Sequence, residues 1–160
     1  MSYRELDHTA DILLEITGAS IHELFCEAAR ALMNILYPPR VASSSCAQES
    51  HTVCLPIEVH IDSEEQNDSH VCELHGSYEL YELLVQAFLS EILFLTETEY
   101  LVFSSFDIIV EKECVSGTGY GVLFDEKVHG GGIGVKGISY SDLAIRKKKD
   151  EYILTIIYDI

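Results

Sequence analysis

The chain is short of positive charge. Ten Lys and Arg stand against 27 Asp and Glu, a formal net charge of −17 over 160 residues. Between Arg40 and Lys112 there is no Lys or Arg at all, while fourteen acidic residues fall between Glu49 and Glu111. Tight, direct binding to nucleic acid is driven by Lys and Arg displacing counterions from phosphates, so this balance excludes it. A polybasic membrane anchor is excluded on the same ground. Long apolar runs are missing too. The most tempting, Leu83 to Leu95, is broken by Gln86, Ser90 and Glu91, well short of the ~20 residues of a membrane helix. The five cysteines (Cys26, Cys46, Cys54, Cys72, Cys114) are odd in number and have no C-x-x-C spacing. The opening MSYRELDHTAD carries no apolar stretch like a signal peptide. Reduced thiols and a cytoplasmic location are expected.

What is present suffices for a fold. Hydrophobic residues make up 48% of the chain, too many for a disordered acidic tail. A length near ~150 residues supports one ordinary core, so residues 1–160 are expected to form a single domain. Residues 11–17 (DILLEIT) alternate as a strand. Ser20 and Glu23 then form a capping box, and Ile21, Leu24, Phe25, Ala28, Leu32 and Leu36 recur at helical spacing, predicting a helix over 21–36. Pro38-Pro39 stops it. Residues 38–51 read as a polar loop, and 52–61 as a strand in which Pro56 marks an edge or a bulge.

An acidic loop over 63–76 follows, and Ser77 is placed to cap a second helix running to Leu95. That helix is apolar around much of its circumference, which predicts a central, largely buried element. Strands are expected at 100–112, 119–125, 133–146 and 151–159. Strand, helix, strand, helix and then a run of strands indicates α+β, with two helices on a mainly antiparallel sheet. The basic run Arg146-Lys147-Lys148-Lys149 reads as a solvated hairpin turn.

Two motif-like patterns carry little. Gly132-x-Gly134-x-x-Gly137 matches the dinucleotide fingerprint in letters only. A true fingerprint follows a buried strand and opens a helix, whereas polar FDEKVHGG precedes this one and a strand follows. Cys46, His51, Cys54, His60, His70, Cys72 and His75 are metal-ligand material, but their spacings fit no usual zinc pattern.

Both ends of the chain are denser in chemistry. Asp7-His8-Thr9-Ala10-Asp11 puts two carboxylates and an imidazole where a loop enters a strand. Asp7 or Thr9 could equally serve the turn backbone. At the other end an apolar strand runs through Tyr152, Leu154, Ile156 and Tyr158 to Asp159 and Ile160. A strand that stops with its pattern still running fixes the terminal carboxylate beside that of Asp159. Oxygen donors held together suit Ca²⁺, Mg²⁺ or Mn²⁺, and Asp11 could supply a third. The plainer alternative is an end ordered by packing, with Asp159 simply solvated.

Taken in order, these segments resemble the archease family. The resemblance lies in Asp7-His8-Thr9-Ala10-Asp11, Leu89-Ser-Glu91-Ile-Leu-Phe-Leu, Leu101-Val-Phe103, Asp125-x-x-x-His129, Val135-Lys136-Gly137-Ile-Ser-Tyr140 and the closing Asp159-Ile160. It covers nearly the whole chain and is weakest over 38–75. It implies a small cytosolic accessory protein of the tRNA-splicing RNA ligase, not an enzyme itself. That ligase joins an RNA 3′-phosphate or 2′,3′-cyclic phosphate to a 5′-hydroxyl using GTP and Mn²⁺. The accessory protein promotes its guanylylation and multiple turnover, so RNA is engaged only through the ligase.

The resemblance also implies a divalent-cation site at Asp11, Asp159 and the carboxylate of Ile160, with His8, His129, Lys136 and Asp142 as partner-facing or supporting residues. Two departures concern the partner-facing side. Ser141 stands where family members often have His, ahead of the expected Asp142, and Gly130-Gly131-Gly132 replaces a more charged stretch. Two other functions fit the residues. One is a metal-dependent phosphoesterase with Asp11, His8 and Asp159 around the ion. The other is a general chaperone or protein-binding module.

Overall fold

The computed structural model describes residues 3–38, 52–61 and 78–160. In chain order its elements are β1 (Tyr3–Leu6), β2 (Ile12–Gly18), α1 (Ile21–Leu36), β3 (Val53–His60), α2 (Glu79–Thr98), β4 (Leu101–Val110), β5 (Cys114–Leu123), α3 (Glu126–His129), β6 (Gly137–Lys148) and β7 (Glu151–Asp159). The class is α+β, as expected. The strands, however, divide into two antiparallel sheets rather than one, with orders β1-β2-β7-β6 and β3-β5-β4. Each long helix touches both sheets, so the helices form the middle layer.

The first helix follows from its caps. The Ser20 hydroxyl accepts the Glu23 N–H at 3.1 Å, and the Glu23 carboxylate accepts the Ala19 N–H at 2.8 Å. Two otherwise orphaned donors are satisfied together. The helix closes at Tyr37, whose N–H reaches the Met33 carbonyl, just before Pro38. Its buried side presents Leu24, Phe25, Ala28, Leu32 and Met33.

The second helix carries a broader buried surface than one stripe. Val85, Leu89 and Leu93 are buried together with Leu84, Phe88 and Ile92, because sheets lie on two sides of it. Its N-cap position is Tyr78, with no side-chain cap. Ser77, the expected cap, lies outside the described residues, as do Cys46, His51, His70, Cys72, His75 and most of the two polar loops. A run of rings ties the layers together. Phe25 of α1 meets Phe88 of α2 at 5.8 Å between centroids, Phe88 meets Phe106 of β4 at 6.1 Å, and Phe106 meets Phe103 at 5.4 Å. Such pairs favour tilted and edge-on contact.

Four expectations shift. The strand Tyr3–Leu6 pairs with β2 although its four residues are too few to show a period. β5 starts at Cys114 rather than 119, because Gly117 and Gly119 read as turn letters. In the sheet the Phe103 ring lies directly over Gly119, where a side chain would have stood. A single helical turn, α3, capped by the Asp125 side chain on the Lys127 N–H at 2.8 Å, follows β5. β6 starts at Gly137 instead of 133 and runs on to Lys148. Pro56 does sit on an edge strand, β3, and the basic run ends in the β6–β7 turn, with Lys147 stacked 5.1 Å from the Tyr152 ring centroid.

β6 is an edge strand with a bulge between Ser139 and Ala144. The helix α2 closes part of that edge. The Glu82 carboxylate accepts the Ile145 N–H at 2.7 Å, and the Gln86 amide donates to the Ile138 carbonyl at 3.2 Å. Edges guarded in this way resist pairing with other chains.

β7 lies inside its sheet, between β2 and β6. Its Tyr158 is fully buried, and the hydroxyl donates to the Ala28 carbonyl of α1 at 3.2 Å. Burial holds that phenol far above its ordinary range, so it remains a neutral donor. Tyr158→Phe is expected to lower the unfolding free energy by ~1 kcal/mol, the usual worth of one internal hydrogen bond. Tyr158→Ala is expected to cost ~3–5 kcal/mol, as for other large-to-small core changes. Urea denaturation of the two variants checks both values.

Candidate functional site

Strand register brings the two chain ends together. Ile12 pairs with Tyr158, and Gly137 pairs with Asp159. Asp11 precedes Ile12 and Asp159 follows Tyr158, so the two aspartates stand opposite each other one step beyond that pair. Ile12 and Tyr158 face the core. Side chains alternate along a strand, so Asp11 and Asp159 project from the other face of the sheet. Across β6 the neighbour of Asp159 is Gly137, where even a Cβ would lie 3.7 Å from Asp159 Oδ2. Gly137 adds no side chain beside the half-buried Asp159.

The surroundings of each carboxylate differ. His8 Nδ1 accepts the Asp11 N–H at 3.2 Å. The ring thus holds the turn, and the same nitrogen lies 3.9 Å from Asp11 Oδ2. Among the described residues the Asp159 carboxylate has no hydrogen-bond or ion-pair partner. Lys136 supplies the cation of the site. Its Nζ donates to the main-chain oxygen of Ile160 at 3.1 Å, while its N–H donates to the Asp159 carbonyl at 2.7 Å.

A glycine-rich loop puts Lys136 there. After α3 the chain crosses the C-terminal end of α1, where the Ile133 N–H caps the Ile35 carbonyl at 2.9 Å. Gly131 adopts a φ of +101°, which side chains rarely allow. Gly132 lies so close to the Leu36 carbonyl that a Cβ would fall 1.8 Å from its oxygen. These glycines serve the crossing. Of the G-x-G-x-x-G lettering, Gly132 has a packing cause, Gly134 stands in open space, and a strand rather than a helix follows.

The other expected residues lie apart from this centre in their contacts. His129 Nδ1 accepts the Asp125 N–H at 3.0 Å, and its ring packs on Tyr37 and Phe124. Asp142 is exposed in the β6 bulge with a φ of +56°, a conformation that Asp tolerates better than most residues. Of the Cys/His set, Cys54 and His60 are described. His60 Nε2 is 3.0 Å from Glu58 and 3.9 Å from Cys114 Sγ. Burial pushes the Cys114 thiol up, with Glu111 and Glu58 adding to it, which is the wrong direction for a nucleophile.

The donor chemistry of the strand ends fits a hard divalent ion. It does so with two side chains only. Among the described residues no group of three His, Cys, Asp or Glu could hold a metal. A third protein oxygen would come from Ile160, which Lys136 now engages.

The Archease protein family model matches residues 3–160. The chain belongs to the archease family. It is 29% identical to protein archease of Archaeoglobus fulgidus, with 100% of each chain covered. Protein archease of Pyrococcus furiosus is 27% identical, over 92% of this chain and 90% of the other. The archease-like protein of Dictyostelium discoideum is also 27% identical, over 99% and 93%. Among solved structures, protein 1598 of Methanobacterium thermoautotrophicum shares the fold at a TM-score of 0.65 and 18% identity, with 99% of both chains covered. An archease from Thermotoga maritima, described as a possible chaperone, follows it at 0.59 and 16%, over 98% and 96%.

Sequence reasoning did not place Gly137 beside Asp159; the β6–β7 register was the signal needed. Nor did it find the loop crossing over α1, for which the run of glycines was the available sign. Gly132→Ala is expected to lower the unfolding free energy by about 1–3 kcal/mol through overpacking against Leu36. Gly134→Ala, with open space around the new Cβ, is expected to stay within ~0.5 kcal/mol. Parallel urea melts compare them.

Proposed function

We propose that this protein is a non-enzymatic activator of the GTP- and Mn²⁺-dependent tRNA-splicing RNA ligase. In this reading it promotes ligase guanylylation and multiple turnover in the cytoplasm, without binding RNA itself. The observation that carries the reading is the family match over residues 3–160. The juxtaposed Asp11 and Asp159 support it, because they give a protein with little other concentrated chemistry an acidic point to present. The net charge of −17 supports it as well, since an enzyme that binds RNA carries a basic surface and opposite charges speed encounter. No helix among the described residues is long and apolar enough to cross a membrane.

Asp11, Asp159 and the carboxylate of Ile160 are the residues that would hold Ca²⁺, Mg²⁺ or Mn²⁺. The ion would supply positive charge beside the partner's phosphate chemistry. The chain's own part is positional. β2 and β7 fix the two carboxylates, His8 holds the turn before Asp11, and Lys136 orients the end at Ile160. Asp142 and His129 belong to the surface toward the partner.

A second reading follows from the description of the Thermotoga protein as a possible chaperone. Suppression of aggregation that survives Asp159→Ala, with no effect on the ligase, would favour it.

A ligation assay at limiting cognate ligase tests the proposal. Adding the protein is expected to raise turnover. Asp11→Ala and Asp159→Ala are expected to lose at least the roughly tenfold that follows removal of even a supporting partner of a metal ligand, with melting temperature unchanged. A few residues appended after Ile160 are expected to impair activation in the same way. An extended protein that activates normally removes the carboxylate of Ile160 from the site. No gain from the unaltered protein removes the proposal itself.

A further inference from the structure

A groove of about 360 Å³ lies between β1 and the C-terminal end of α1, on the core-facing side of the sheet. Ile12, Ile35 and Ile133 line it with aliphatic surface, and the loop at Gly131 and Gly132 borders it. Its polar side chains are Tyr3, Glu5 and Asn34. Glu5 is opposite the core residue Leu14 in the β1–β2 register and so shares its face. Its carboxylate is exposed to solvent, and an inward-facing charge on an edge strand also discourages pairing with other chains. Among the described residues it has no hydrogen-bond or ion-pair partner. Asn34 donates its amide N–H to the Tyr3 hydroxyl at 3.2 Å, which leaves the amide oxygen as an acceptor. Among the described residues no Lys or Arg lines the groove. The neighbouring Arg4 is on the opposite face, paired with Glu15 at 2.8 Å.

We infer that this groove receives an arginine side chain presented by a partner protein. An aliphatic wall with an unpaired carboxylate and an amide oxygen is complementary to a methylene stem that ends in a planar group with five donors. A lysine would offer the stem but only a point charge. The groove adjoins the strand ends described above: Ile12 follows Asp11, and the bordering loop continues to Lys136. Groove and carboxylates lie on opposite faces of the sheet, so a partner that touches both wraps around the edge strand β1. The inference rests on the proposed function only in taking that partner to be the ligase.

The test uses the full-length protein with ¹³C-labelled Ile methyl groups and a capped Gly-Gly-Arg-Gly-Gly peptide as probe. Saturable shifts are expected at Ile12, Ile35 and Ile133, absent with Gln in place of Arg and lost in Glu5→Gln. Absence of saturable shifts, equal shifts with the Gln peptide, or shifts that persist in Glu5→Gln would each overturn the inference. So would equal shifts with spermidine, which would mark a site for small polycations. If Arg40→Gln alone moves the same methyls, the groove's cation belongs to this chain, and the inference is again overturned. In the ligation assay Glu5→Gln is expected to raise the concentration for half-maximal activation at least threefold and leave maximal turnover unchanged. An unchanged half-maximal concentration counts against the groove. An unaltered protein that fails to activate counts against the ligase role alone, since the peptide shifts do not depend on it.

Discussion

Everything at the candidate site depends on where β7 is held. It is an interior strand, paired on one side with β2 and on the other with β6. Its last core side chain, Tyr158, is pinned by a buried hydrogen bond to the Ala28 carbonyl of α1. That bond works only while the phenol keeps its proton, and burial ensures that it does. The residue after it then leaves the core with little freedom. The position of Asp159 is inherited from packing beneath the sheet rather than from contacts of its own.

The same economy runs through the neighbourhood. His8 spends a ring nitrogen on a turn N–H. Lys136 arrives on a loop whose glycines let it pass over the end of α1. Gly137 contributes by having no side chain. On the other face of the same strands, Glu5 and Asn34 shape a groove against aliphatic walls. The outcome is a corner with acceptors on both faces of one sheet and few cations near them. In the proposed function and the inferred groove alike, positive charge from elsewhere completes that surface.

Much of this was legible in the residues, for physical reasons. The helix over 21–36 has a capping box, a clear stripe and a proline stop, and it appears with those bounds. Pro56 cannot donate to a ladder and lies on an edge strand. The terminal strand alternates strongly and runs from Glu151 to Asp159. What stayed hidden depends on pairing. Tyr3–Leu6 becomes a strand because β2 offers an edge, not because four residues announce one. The division into two sheets follows from which strands pair, which periodicity does not encode. The closeness of Asp11 and Asp159 could be suspected from their chemistry, but only the register Ile12–Tyr158 sets them opposite each other. His129 looked like surface chemistry and is held by Tyr37 and Phe124, a contact between distant segments.

The pairing of β2 with β7 also has a consequence for how the molecule is made. Residues 12–18 are paired with residues 152–158, so an early-synthesised strand waits for a late one. Until then α1 has one face without its sheet, and contacts of such long separation close slowly. β6 cannot substitute, since its own place in the sheet is beside β7. The carboxylate pair comes into being only with the last step of that closure. Without residues 152–159 the acidic corner has no strand to hold its second carboxylate.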